Sequence, residues 1–167
     1  MAVSTEAVKE LRQRTGAGVM ECKRALEEAN GDIERAAEIL RQRGLAQAEA
    51  RAHRSTTQGL VECYIHAGGR IGAMVELNCE TDFVARTDAF KALAHDLAMQ
   101  VAATGPLSIS PDDLPPETEG DPGETCLLLQ PYIRDPSRTI QELISEAIAQ
   151  TKENIQVRRF ARFELGQ

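Results

Sequence analysis

The sequence predicts an α+β protein: a three-helix N-terminal module, a linker helix, and a three-stranded antiparallel sheet packed with helices. Three observations predict it. Apolar residues recur at helical spacing through the first 44 residues, the pattern switches to alternation on both sides of Ala67-Gly68-Gly69, and alternation returns at the C-terminal end after two more amphipathic stretches. With 167 residues, the chain can bury a core without disulfides.

In order, Ser4 is placed to cap a first helix with Val8 and Leu11 inward, broken at Thr15-Gly16-Ala17-Gly18. A second helix covers 19–29, with Met20, Ala25, Leu26 and Ala29 at roughly helical spacing, and stops at Asn30-Gly31. Asp32 caps a third, whose Ile33, Ala36, Ala37 and Leu40 share a face and which is expected to close at Gly44. A core this small is marginal, so the module is expected to lean on a partner. Residues 45–54, Ala-rich and basic at the end, suit a connecting helix.

Composition then shifts. Residues 59–66 and 70–79 form a hairpin signal around the glycine pair. Val61, Cys63 and Ile65 alternate on the first strand, and Ile71, Ala73, Val75, Leu77 and Cys79 on the second, so one face of each is expected to be buried. Phe90, Leu93, Ala94, Leu97, Ala98 and Val101 then mark an amphipathic helix ending at Gly105-Pro106. Residues 111–123, rich in Pro, Gly and acid, read as a loop. Thr139 and Glu142 make a capping box for a helix with Ile140, Leu143, Ile144, Ala147 and Ile148 inward, and 155–163 alternate as a final strand. A three-stranded sheet with helices on one face leaves the other face open, which invites pairing with a second sheet.

The net charge is -7, and 13 acidic against 4 basic residues fall within 59–137. An acidic middle repels phosphate backbones, which speaks against nucleic acid and for a basic protein surface as partner. Cys22, Cys63, Cys79 and Cys126 form no CxxC pair, against a zinc or redox site. No window approaches a membrane span and MAVSTEAV has no leader pattern, so a soluble protein of a reducing compartment is expected. Gly16 and Gly18 lack a following Lys-Ser/Thr, so no nucleotide or other cofactor is expected on this chain. Cys79-Glu80 could be imagined as a nucleophile beside an acid. Cys63 and Cys79, however, take the inward parity, where Cys is usually a small hydrophobe, so an enzyme is not expected.

The stretch NCETDFVARTD raises a separate question, because it spends one of four phenylalanines on a polar turn. On these residues alone two placements of Phe83 stand open: folded back on the core, or projecting from the tip of a strand-to-helix turn.

The same residues carry a resemblance. Thr81-Asp82-Phe83-Val84, preceded by Glu76-Leu77-Asn78-Cys79, resembles the signature of the elongation factor Ts family, nucleotide exchange factors of the translational GTPase elongation factor Tu. VKELRQRTGAGVMECKRALEEANGDIERAAEIL resembles the family's N-terminal module, which is similar to a ubiquitin-associated domain. YIHAGGRIGAMVELNCETDFVAR resembles its core, and ENIQVRRFARFELG its last strand.

The resemblance implies a module at 1–45, a linker helix at 46–57 and a dimerising core at 58–167, with a loop at 106–126 shorter than in the family's other short members. It implies that Phe83, with Thr81, Asp82 and Val84, wedges into elongation factor Tu near the magnesium and phosphate site. It also implies that Arg12, Val19 and Met20 dock the nucleotide domain, that the hairpin tip at His66, Gly68 and Gly69 touches another domain, and that Arg51 and Arg54 add linker contacts. Val19 stands where the family commonly has Met, and Met20 reads equally as core. Only one core copy is present where longer relatives carry two, so a homodimer is expected. The compartment implied is a bacterial cytoplasm or a plastid stroma. The alternative reading is an adaptor without exchange activity.

Overall fold

A computed structural model describes residues 3–114 and 116–166. Pro115, inside the predicted loop, and residues 1, 2 and 167, at the ends of the predicted segments, lie outside the described residues. The chain forms two compact units, one of residues up to His53 with Ser145–Lys152, the other of Arg54–Ile144 with the residues from Glu153 onward.

In the first unit, helix α1 (Thr5–Thr15) starts where Ser4 Oγ accepts the Ala7 N–H at 3.1 Å and ends where Gly16 turns left-handed at φ 65°. Helix α2 (Val19–Glu28) opens with Glu21 accepting the Gly18 N–H at 3.2 Å, and α3 (Ile33–Arg51) with Asp32 accepting from Arg35 at 3.0 Å. Leu11, Cys22, Ala25, Leu26, Ala29 and Ala36 are the buried core, flanked by Val8, Ile33 and Leu40. As the sequence suggests, this core is thin.

One expectation is corrected here, and one open reading is decided. The third helix does not close at Gly44, because that residue stays right-handed and α3 runs on to Arg51, so the linker helix is its second half. The missing side chain at Gly44 serves close approach instead: a Cβ there would lie 3.8 Å from Ser145 O and 3.9 Å from Ala149 Cβ. Met20, at 58% exposed, is not core.

In the second unit, strands β1 (Gln58–Ile65), β2 (Ile71–Cys79) and β5 (Ile155–Glu164) form an antiparallel sheet in the order β1-β2-β5. Helix α5 (Asp88–Thr104), capped where Thr87 Oγ1 accepts the Phe90 N–H at 3.2 Å, buries Phe90, Leu93, Ala94, Leu97, Ala98 and Val101. It lies against β1 and β2, where Ala73, Val75, Leu77 and Cys79 are buried.

On β1 the expected parity is inverted. Residues directly opposite in an antiparallel pair share a face, and the inward residues of β2 face Leu60 (Leu77), Glu62 (Val75) and Tyr64 (Ala73). Val61, Cys63 and Ile65 therefore point away from α5, and Cys63 is exposed rather than inward. With Met74 and Phe163 they make an open apolar face: Val61 is 63% exposed, Ile65 64%, Met74 47% and Phe163 69%. Gly72 sits between Ile65 and Phe163, its missing Cβ leaving room for Ile65 Cδ1.

The predicted loop is more ordered than its composition suggests, with a 3-10 turn at Pro111–Asp113 and helix α6 (Pro122–Thr125). A short hairpin, β3 (Pro131–Tyr132) and β4 (Asp135–Thr139), was not predicted. Gln100, fully buried in α5, holds it: its Nε2 donates to Pro131 O at 3.2 Å and its Oε1 accepts the Ile133 N–H at 2.9 Å. Helix α7 (Ile140–Thr151) opens with the predicted capping box, Glu142 Oε2 accepting from Thr139 N at 2.9 Å and Thr139 Oγ1 from Glu142 N at 3.2 Å.

Candidate functional site

β2 ends at Cys79, and the turn that follows carries the TDFV residues. Thr81 is extended at φ -126°, ψ 154°, and caps the single-turn helix α4 (Asp82–Ala85), its Oγ1 accepting the Val84 N–H at 3.5 Å. Asp82, in the first turn, pairs with Arg86 at 2.7 Å. Phe83 is 79% exposed, the largest fraction for a large hydrophobic residue among the described residues. The ring is not folded back on its own core.

The base of this turn is held by polar groups. Glu153 accepts both protons of Thr81, from N at 3.0 Å and from Oγ1 at 2.5 Å. Glu80 Oε1 accepts the Asn154 N–H at 2.7 Å and pairs with Arg54 at 3.3 Å, while Asn154 Nδ2 donates to Arg54 O at 2.9 Å. Cys79 is fully buried and its Sγ donates to Thr81 O at 3.1 Å; burial pushes its thiol pKa up, which disfavours the thiolate that a nucleophile needs. Cys79 is a packing residue. Glu80, Glu153 and Asn154 all lie inside the stretches quoted for the resemblance, yet nothing in those motifs assigns them to holding this turn.

The other predicted residues lie as follows. Arg12 and Val19 line one hollow of about 370 Å³ with Val3, Val8, Lys9 and Lys23, a lining that mixes apolar and basic side chains; Val19 is 52% exposed. At the tip of the β1–β2 hairpin, Gly69 N donates to His66 O at 2.9 Å and Gly68 takes φ 91°. A Cβ on Gly68 or Gly69 would meet nothing within 4 Å, and both glycines are exposed. His66 Nδ1 lies 3.1 Å from the Tyr64 hydroxyl. Arg51 is turned back onto backbone carbonyls, Nη1 to Gln47 O at 2.9 Å and Nε to Lys152 O at 3.2 Å, whereas Arg54 joins the base of the Phe83 turn. Among the described residues, no three His, Cys, Asp or Glu gather to hold a metal, and no helix is long and apolar enough to cross a membrane.

The family model described as Elongation factor TS matches residues 4–121. An elongation factor Ts of Carboxydothermus hydrogenoformans is 51% identical over 195 aligned residues, covering 99% of this chain and 90% of the relative. Those of Caldanaerobacter subterraneus subsp. tengcongensis and Thermoanaerobacter sp. strain X514 are 50% and 49% identical, again over 99% of this chain and over 98% and 96% of the relatives. These alignments run over 195 positions against 167 residues here, so at least 28 positions have no counterpart in this chain. The matches place the chain among the translation elongation factors. It belongs to the elongation factor Ts family.

Proposed function

We propose that this chain is a guanine nucleotide exchange factor: it binds elongation factor Tu carrying GDP and drives release of the nucleotide by pressing Phe83 beside the partner's magnesium and phosphate site. One observation carries this reading: a large ring, 79% exposed, sits on a turn whose base is hydrogen-bonded in place. Such a ring has apolar surface to bury in a partner and little to lose in its own subunit.

A magnesium ion held through phosphates and few protein ligands needs near-ideal octahedral geometry, so a small displacement of the loops around it weakens nucleotide binding. The factor must bind the empty partner more tightly than the loaded one. Reversing a population from 1:99 to 99:1 takes about 5.5 kcal/mol of differential affinity, and burying one Phe contributes about 1.5–3 kcal/mol. Phe83 therefore covers at most about half. The remainder is assigned to Arg12, Val19 and Met20, to the hairpin tip at His66, Gly68 and Gly69, and to Arg54 near the turn. The reading needs no covalent chemistry and no cofactor on this chain, and its setting is the cytoplasm.

We further propose that two copies pair through the open sheet face of Val61, Ile65, Met74 and Phe163, since an apolar face of this extent is costly to leave in water. The absent aligned positions fit the short loop at 106–126.

The test is stopped-flow release of labelled GDP from elongation factor Tu. Phe83→Ala is expected to keep the fold and lower the maximal release rate at least tenfold, by about 1.4 kcal/mol or more. Unchanged release would remove the wedge. Binding with no acceleration by the parent protein would leave an adaptor.

A further inference from the structure

Phe83 has little packing of its own to aim it, and helix α4 spans only four residues. So short a helix does not hold a direction by its own hydrogen bonds. The far side of the turn is held by buried Ala85 and by Thr87 Oγ1 donating to Val84 O at 2.8 Å, and its near side by the anchor at Thr81.

We infer that Glu153 is a positioning residue for nucleotide exchange, acting through Thr81 to fix the turn that presents Phe83; the inference rests on the exchange reading above. Thr81 has a single hydroxyl proton. Donated to Glu153 Oε1 at 2.5 Å, it leaves the lone pairs of the hydroxyl oxygen for the Val84 N–H, at 3.5 Å. The second carboxylate oxygen takes the Thr81 N–H at 3.0 Å, so the backbone and the hydroxyl rotor are set by one group. Both bonds run to a carboxylate, the stronger kind of hydrogen bond.

The arrangement is reciprocal. Glu80, beside Thr81, accepts the backbone N–H of Asn154, beside Glu153, at 2.7 Å. Asn154 is only 2% exposed, and its side chain is tied to Arg54 O at 2.9 Å. Lys152, with φ 64° and its N–H on Ile148 O at 2.9 Å, closes α7 and turns the chain immediately before Glu153. Each segment thus supplies a carboxylate to the backbone of the other, and the exposed ring stands at the end of that lock.

The experiment measures GDP release from elongation factor Tu across factor concentrations for the full chain and for Glu153→Ala, Phe83→Ala and the double variant. Glu153→Gln, which keeps the size of the side chain, is a second probe, and thermal unfolding checks each fold. The expected result is a maximal rate lowered about tenfold by Glu153→Ala, with the half-saturating concentration within about twofold, because the other docking patches are intact. In the Phe83→Ala background, Glu153→Ala is expected to cost nothing further. Full rate in both folded Glu153 variants, with Phe83→Ala slow, overturns the positioning role while the wedge stands. Additive losses overturn it too, since Glu153 would then act elsewhere. Full rate in Phe83→Ala removes the wedge and the inference together.

Discussion

Replacing Phe163 by Glu tests the proposed pairing of two chains at the residue where it is most exposed. Phe163 is 69% exposed and stands across Gly72 from Ile65, itself 64% exposed. Full burial of a Phe is worth about 1.5–3 kcal/mol. Scaled to the part still in water, this is about 1–2 kcal/mol per chain, and a two-fold pair buries two copies. The loss is about 2–4 kcal/mol, a dissociation constant raised about 30- to 1,000-fold, before the cost of desolvating two carboxylates is added.

Association itself costs about 4–15 kcal/mol, so the net is a small difference in which one ring decides the outcome. Sedimentation velocity over a micromolar concentration series is expected to show the parent chain passing from monomer to dimer and Phe163→Glu remaining monomeric. Thiol labelling supplies a second readout. Cys63 lies opposite Met74 on this face and should be shielded where the dimer forms, while the buried Cys22, Cys79 and Cys126 react only on unfolding. A parent chain that is monomeric throughout, or a variant that pairs equally well, refutes the reasoning.

Three further predictions concern the fold. Gly44→Ala is expected to stabilise, because its Cβ would sit at ordinary contact distances of 3.8 and 3.9 Å inside a helix; up to about 1 kcal/mol, or about 2–4 °C in Tm, is expected by calorimetry. Gly59→Ala should instead lose the folded sheet, since φ is 148° and the new Cβ would fall 2.1 Å from Leu77 O. The third prediction is a pH dependence. Glu21 pairs with Lys152 at 3.0 Å, and that hydrogen bond holds its carboxyl below the usual glutamate value of 4.5. A depressed folded-state pKa contributes stability that is present above the free value and lost as pH falls through the lowered one. Glu21→Gln should therefore be less stable than the parent at pH 7, by under about 1 kcal/mol for so exposed a pair, and the two should converge as the pH drops below 4.5. A gap that persists in acid would assign the effect to something other than the charge.

Most of the architecture was legible because burial imposes a period. The stripe from Phe90 to Val101 and the box at Thr139 and Glu142 needed no tertiary information. β1 was misread because both of its faces carry apolar residues: Leu60 and Tyr64 on one side, Val61, Cys63 and Ile65 on the other. Only the register against Leu77, Val75 and Ala73 chooses between them. Gly44 misled because the residue that stops a helix also lets another segment come close. The β3–β4 hairpin was hidden by its two prolines, though a glutamine at position 100 on an apolar stripe was a clue to a buried polar partner. At the site, motif reading singled out the ring but not what holds it, since Glu153 lies 72 positions from Thr81.

Both compact units are finished by residues from the last part of the chain: Ser145–Lys152 in one, β5 in the other. During synthesis, β2 emerges with one edge bare and waits for the better part of a hundred residues before the strand that covers it leaves the ribosome. The sheet is thus closed by contacts distant in sequence, whereas the core of the first unit is local. A chain halted before residue 155 would therefore carry a complete helical core at residues 11–36 beside a sheet whose central strand is still unpaired on one edge.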